Sequence, residues 1–205
     1  MANFFKKLKT KFFLKNKNFS IISDDCWGGE IYKELQLPFQ TPFVGVYINP
    51  EDYLKLLINL KDYLKEELIF VKSDLIAPGK KNVFPIAMLK DVKINFMHYE
   101  DDIEAYEKWN RRVSRINWDN LFFKIDFNRP EPYGHRRYNK NDIDVWNKLS
   151  LNKSIAVHVE SGIIIHSGWK IKNYSPNAVE NYMRMRRDFS IYYWLNNKYK
   201  DAFFE

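Results

Sequence analysis

Among its 205 residues the sequence has one cysteine and only seven glycines, and it has no long uninterrupted apolar run. The single thiol, Cys26, excludes an internal disulfide and a CxxC zinc site, which makes a reducing cytoplasm the expected compartment. No apolar run reaches the roughly 18 to 20 residues needed to span a bilayer, and the amino terminus lacks the apolar core of a signal peptide. Also missing are an internal repeat, a Walker A loop, a GxGxxG turn, a GxSxG elbow and an HExxH helix, so the nucleotide-binding and hydrolase classes with strong signatures find no support. No RNP, KH or zinc-knuckle pattern accompanies the basic charge, and nucleic acid is not an expected partner.

What is present is aromatic and basic. The chain holds 16 Phe, 13 Tyr and 6 Trp, and 33 Lys and Arg against 26 Asp and Glu. Such a composition argues for a folded protein, and its length suits a single domain. Residues 1–18 carry Lys6, Lys7, Lys9, Lys11, Lys15 and Lys17 and no acid. Set helically, Phe4, Phe5, Leu8 and Phe12 form one stripe among these lysines, the pattern of a basic amphipathic segment lying on an anionic membrane. A short solvated helix packing that stripe on the domain fits equally well.

Residues 19–205 read as one α/β domain with a mostly parallel sheet and helices on both faces. Phe19 to Ser23 is a buried strand that turns at Asp24, Asp25 and Cys26 and enters a helix near Glu30. Phe43 to Ile48 predicts a second buried strand, Pro50 to Lys65 an amphipathic helix, and Leu68 to Val71 a third strand. One or two strands are expected within 84–96, a helix over 101–116 and a strand over 121–126. Asn128 to Lys140 reads as a long loop of the kind that often forms lids. A helix over 141–149, strands over 155–159 and 163–166, and a closing helix over 176–198 complete the chain.

The runs IISDDCWGGEIY, TPFVGVYINPEDYLKLLINLKDYL and HYEDDIEAYEKWNRRVSRINWDNLFFKID together resemble the family of unknown function DUF1919, also called exopolysaccharide biosynthesis protein. At Asp24 and Asp25 this chain has acids where that family usually has asparagines. The resemblance implies an α/β fold and a place in capsule, exopolysaccharide or lipopolysaccharide assembly, with no established reaction.

Three constellations carry candidate chemistry. Cys26, His98 and Asp126 each follow an expected strand and would gather on one sheet edge as nucleophile, base and orienting acid; the simpler reading makes Cys26 a small buried apolar residue and His98 a satisfied histidine leading a helix. Asp25 joins them as a catalytic candidate. Asp24, Trp27, the Gly28 and Gly29 amides, Glu30 and Tyr99 would then bind substrate around them. On the helix over 101–116, Lys108, Arg111, Arg112 and Arg115 form one stripe that matches a diphosphate. Ion pairing within that helix is the simpler reading for Lys108 and Arg111. Asn117, Asp119 and Asn120, with Trp118, follow as sugar-hydroxyl contacts or as turn-forming residues. No metal site is expected. The expected function is a transferase of surface-polysaccharide synthesis, moving a sugar from a nucleotide sugar onto a lipid-linked glycan. The alternatives are a cysteine-dependent transfer of an acyl group from acetyl-CoA and a non-catalytic carbohydrate-binding partner.

Overall fold

A computed structural model describes residues 10, 12–76, 83–128, 138–159, 162–171, 182, 185–198 and 202–203. The lysine-rich start, most of the loop over 128–140 and much of the stretch 176–198 lie outside the described residues. Strand β1 (Ser20–Ser23) leads into helix α1 (Trp27–Leu35). The short strand β2 (Tyr47–Ile48) is followed by α2 (Pro50–Ile58), α3 (Leu60–Tyr63) and β3 (Leu68–Val71). Next come β4 (Ile86–Leu89), β5 (Val92–Asn95), α4 (Asp102–Val113) and β6 (Leu121–Asp126). The chain continues through α5 (Lys140–Leu149), β7 (Ser154–His158), β8 (Gly168–Lys170) and α6 (Ile191–Leu195).

These strands form two sheets. One runs β1-β6-β7-β8 with every pair parallel, and the other runs β2-β5-β4-β3 with every pair antiparallel. The fold is therefore α/β, but the single, mostly parallel sheet expected from the sequence is corrected to two sheets of opposite kind. The missed feature is the β4–β5 hairpin, which turns at Lys90 with φ 60°. Two-residue hairpin turns of this geometry usually announce themselves with Asn or Gly, and here Lys90-Asp91 supplies neither.

The parallel sheet is apolar on both faces, as buried parallel strands are. Ile22, Phe123, Ile125 and Ala156 enter one core, shared with the antiparallel sheet, α2 and α4. Ile21, Phe122, Ile155 and Val157 enter the other, shared with α1 and with Phe189, Trp194 and Leu195 near the carboxyl terminus. Leu14 belongs to this second core, and Lys15 N donates to Asn196 Oδ1 at 2.9 Å. The described part of the amino-terminal segment thus packs on the domain, although Phe12 is exposed.

Three expected elements differ in detail. Of the strand over 43–48 only Tyr47 and Ile48 pair, because Gly45 adopts φ 70° and turns the chain. A Cβ there would also lie 3.0 Å from His98 Cβ, so the turn needs glycine on two counts. The helix over 50–65 breaks at Asn59 (φ −131°, ψ 43°). The apolar run 163–166 is not a strand; Ile164 is exposed, and β8 forms two residues later.

Candidate functional site

At the carboxyl end of β1 the chain turns through Asp24 and Asp25, and Ile48 N donates to Asp24 O at 3.1 Å, so the two sheets meet at this turn. In the neighbouring strand β6, Lys124 points into the same place and is almost wholly buried. Its Nζ lies 3.1 Å from Asp24 Oδ1 and 2.7 Å from Asp25 Oδ2. Burial is the largest influence on the Lys124 ammonium and pushes its pKa down, but Asp24, Asp25 and Asp126 together outweigh it and hold the group above the ordinary lysine value. The hydroxyl of buried Tyr53 reaches the carbonyls of Ile22 and Lys124 at 3.0 and 2.9 Å. Burial, helped by the charges of Asp24 and Asp25, keeps that hydroxyl protonated.

The three carboxylates divide their work. Asp24 is 1% exposed, and its Oδ2 accepts from Asp126 N at 3.1 Å and from the Tyr138 hydroxyl at 3.3 Å. It acts as a strut between β1, β6 and the residue two places before α5. Asp25 is 16% exposed, and its Oδ1 accepts from Trp27 N at 2.9 Å. Asp126 accepts from Asn128 N at 3.0 Å, which turns the chain out of β6. Three acids thus gather around one buried lysine at the rim.

Beyond Tyr138 opens a cavity of about 530 Å³ between the ends of β6 and β7 and the start of α5. Phe127 and Tyr138 line it, their ring centroids 4.9 Å apart and nearly perpendicular, together with Asn128 and His158. Gly168 leaves room for the histidine: a Cβ on it would stand 3.0 Å from His158 Nε2. Because Tyr138 both lines the cavity and hydrogen-bonds Asp24, the cavity and the charged cluster form one site. It sits at the carboxyl ends of parallel strands, where open α/β sheets place their ligands.

The family model for the domain of unknown function DUF1919 matches residues 1–204. The chain belongs to the DUF1919 family. Over 190 residues it is 30% identical to an uncharacterized protein of Haemophilus influenzae, an alignment that covers 93% of this chain and 83% of the relative. Neither match carries a reaction or a ligand, so chemistry in this DUF1919 chain rests on its own residues.

Cys26 and His98 flank one turn. Cys26 immediately precedes α1, with its Sγ 3.8 Å from Val46 O, and His98 N donates to Gly45 O at 3.2 Å. His98 arrives on the antiparallel sheet, so the junction of the sheets brings it here, not a shared parallel edge. Asp126 stands with Asp24 at the charged cluster.

Most of the expected substrate contacts have other duties. Trp27 is buried against Phe189 and Trp194. A Cβ on Gly28 would lie 2.8 Å from Ser23 Oγ, and one on Gly29 3.2 Å from Val44 Cγ1, so these glycines let α1 pack closely. Glu30 pairs with Lys33. Tyr99 donates to Val44 O at 2.6 Å and accepts from Arg112, whose buried guanidinium also stacks 4.9 Å from the Phe39 ring centre. Arg111 and Arg115 are exposed, so the stripe does not close into one clamp. Lys108 pairs with Glu104, as the helical spacing suggested.

Asn117 and Asn120 lie at the opposite end of the parallel sheet. Both donate from Nδ2 to Asn18 O, at 2.8 and 2.9 Å, and Asn120 Oδ1 accepts from Lys153 Nζ at 2.8 Å. Asp119 is exposed beside them, and Trp118 lies under Lys61. With about 3.3 Å per strand residue, the six steps from Asn120 along β6 put this cluster roughly 20 Å from Asp126. Lys124, Tyr138, Asn128 and His158 were not singled out by the sequence reading. Only Lys124 had a signal, a lysine inside the apolar strand LFFKID.

Proposed function

We propose that this chain is a transferase of surface-polysaccharide assembly that acts on a sugar-containing substrate at the carboxyl rim of its parallel sheet. The observation that carries the reading is the continuity of the Lys124–Asp24–Asp25–Asp126 cluster with an aromatic-walled cavity through Tyr138. Carbohydrate sites combine flat apolar surfaces with a few fixed polar groups, and both are present. Asp25 and Asp126 are the candidates for a general base that takes the proton of an acceptor hydroxyl as the sugar is transferred. Asp24 and Lys124 position them. A nucleotide sugar is the donor this chemistry calls for, and a lipid-linked glycan at an anionic membrane is the acceptor in keeping with the basic start of the chain.

A second reading, acyl transfer from acetyl-CoA through a thioester on Cys26, is favoured by one observation. The thiol immediately precedes a helix N-terminus, and His98 stands on the same turn. A thermal-shift screen against UDP-sugars and acetyl-CoA separates the two, because a ligand raises the melting temperature by mass action. The glycosyl reading expects a rise with a UDP-sugar that persists in Cys26→Ala and disappears in Asp126→Asn. A rise with acetyl-CoA alone, abolished by Cys26→Ala, would replace it.

A further inference from the structure

The cavity beside the charged cluster has chemistry of its own, and it selects one class of ligand. Its apolar wall is Ile143, Ile163 and Ile165, with Ile164 exposed at the mouth, and Phe127 and Tyr138 add two rings. Into this wall is set a hydrogen-bond donor with no partner among the described residues. Asn128 Oδ1 accepts from Val159 N at 3.0 Å, which fixes the amide, while its Nδ2 is buried and meets no acceptor among them. An unpaired buried donor costs stability unless a ligand or water oxygen meets it.

Among the described residues, the groups around the cavity favour a neutral ligand over an anion. Asp144 lines it, and Asp24 lies behind Tyr138. The start of α5, which opens on the same cavity and would otherwise attract a phosphate, is closed by a capping box. Asp142 N donates to Asn139 Oδ1 at 3.2 Å, and Asn139 N donates to Asp142 Oδ2 at 2.7 Å. That box occupies the amide and places a carboxylate at the positive end of the helix. Among the described residues that line the cavity, Lys140 is the lysine, and it is exposed.

We propose that this cavity is a subsite for an uncharged sugar unit of the glycan acceptor. One face of the ring packs on the aromatic and isoleucine wall, and a hydroxyl or acetamido oxygen accepts from Asn128 Nδ2. The described lining, with Asp144 and a capped helix start, favours this neutral ring over a sugar phosphate. The assignment rests on the transferase reading for the word acceptor, and on the cavity alone for the sugar.

The test is a titration of the ¹⁵N-labelled protein with methyl N-acetylglucosaminide, methyl glucoside and glucose 6-phosphate, followed by amide shifts. The expected result is perturbation of Asn128, Ile143 and Ile165 by a neutral sugar, with weaker binding of the phosphate. Asn128→Asp keeps the acceptor for Val159 N but loses the donor, and should weaken neutral-sugar binding about tenfold. Ile164→Asp, at an exposed position, should weaken it with the melting temperature unchanged. Tighter binding of glucose 6-phosphate, perturbation elsewhere, or no perturbation by either neutral sugar would overturn the assignment. A UDP-sugar thermal shift without neutral-sugar binding would remove the subsite and leave the transferase reading. Neutral-sugar binding without any donor shift would do the reverse.

Discussion

The two ends of the parallel sheet share the same strands and hold opposite chemistry. At the amino end, Asn117, Asn120 and Lys153 are bound to one another and to the backbone at Asn18, neutral amides with one lysine closing the starts of β1, β6 and β7. At the carboxyl end, three carboxylates surround a buried lysine beside a cavity. A polar cluster whose groups satisfy each other stabilises a fold. A cluster that gathers buried ionisable groups beside a cavity is the better candidate for work on a ligand.

Several substitutions sharpen or break that contrast. Lys124→Met should be the most damaging, because it removes the buried cation from between Asp24 and Asp25; a loss of about 3–5 kcal/mol in urea unfolding is expected. A loss equal to that of an amino-end variant would dissolve the distinction. The same pair gives a pH test. Folding raises the Lys124 pKa, so its contribution is fully present below the unfolded lysine value and is lost only as pH rises through the folded one. The stability difference between Lys124→Met and the native chain should therefore stay flat from about pH 7 to 9.5, below the roughly 10.4 of an unfolded lysine; a decline within that window would mean that Lys124 is not held as described.

Gly168→Ala comes next, since its Cβ would meet both His158 Nε2 and Ile165 O at 3.0 Å. Overpacking of this kind costs about 1–3 kcal/mol, and the displaced imidazole should also alter sugar binding at the cavity. Asn120→Ala should cost about 1–2 kcal/mol through its lost hydrogen bonds and leave ligand binding intact. Arg115→Ala, exposed on α4, should stay within about 0.5 kcal/mol of the native chain. A large loss of donor affinity there would restore the arginine stripe as a phosphate clamp.

How far the sequence revealed this site depended on chain position. The break after β1 at Asp24, Asp25 and Cys26 and the acid ending β6 were legible, because an apolar run that stops at acids marks a strand end. Asn117, Asp119 and Asn120 were legible as polar residues before a strand, suited equally to turns and to sugar contacts; the fold places Asn117 and Asn120 at the amino edge, away from the carboxyl rim. Lys124 could have been found: a lysine within an apolar run must take its counter-charges with it into the core. Tyr138, Asn128 and His158 could not, since only the fold brings them to Asp24 and the cavity. The antiparallel sheet escaped because its tight turn lacks the residues that usually mark one. Trp27 and the Gly28–Gly29 pair looked like ligand contacts and proved to be packing, an ambiguity that sequence alone leaves to burial.

The central claim is that ligands bind at the carboxyl rim and not at the amino edge. Its most direct test is the UDP-sugar thermal shift measured side by side in the native chain, Asp126→Asn and Asn120→Ala, each corrected for its own unliganded melting temperature. The account predicts a shift that survives in Asn120→Ala and is lost in Asp126→Asn; a shift that survives in Asp126→Asn and is lost in Asn120→Ala would contradict it.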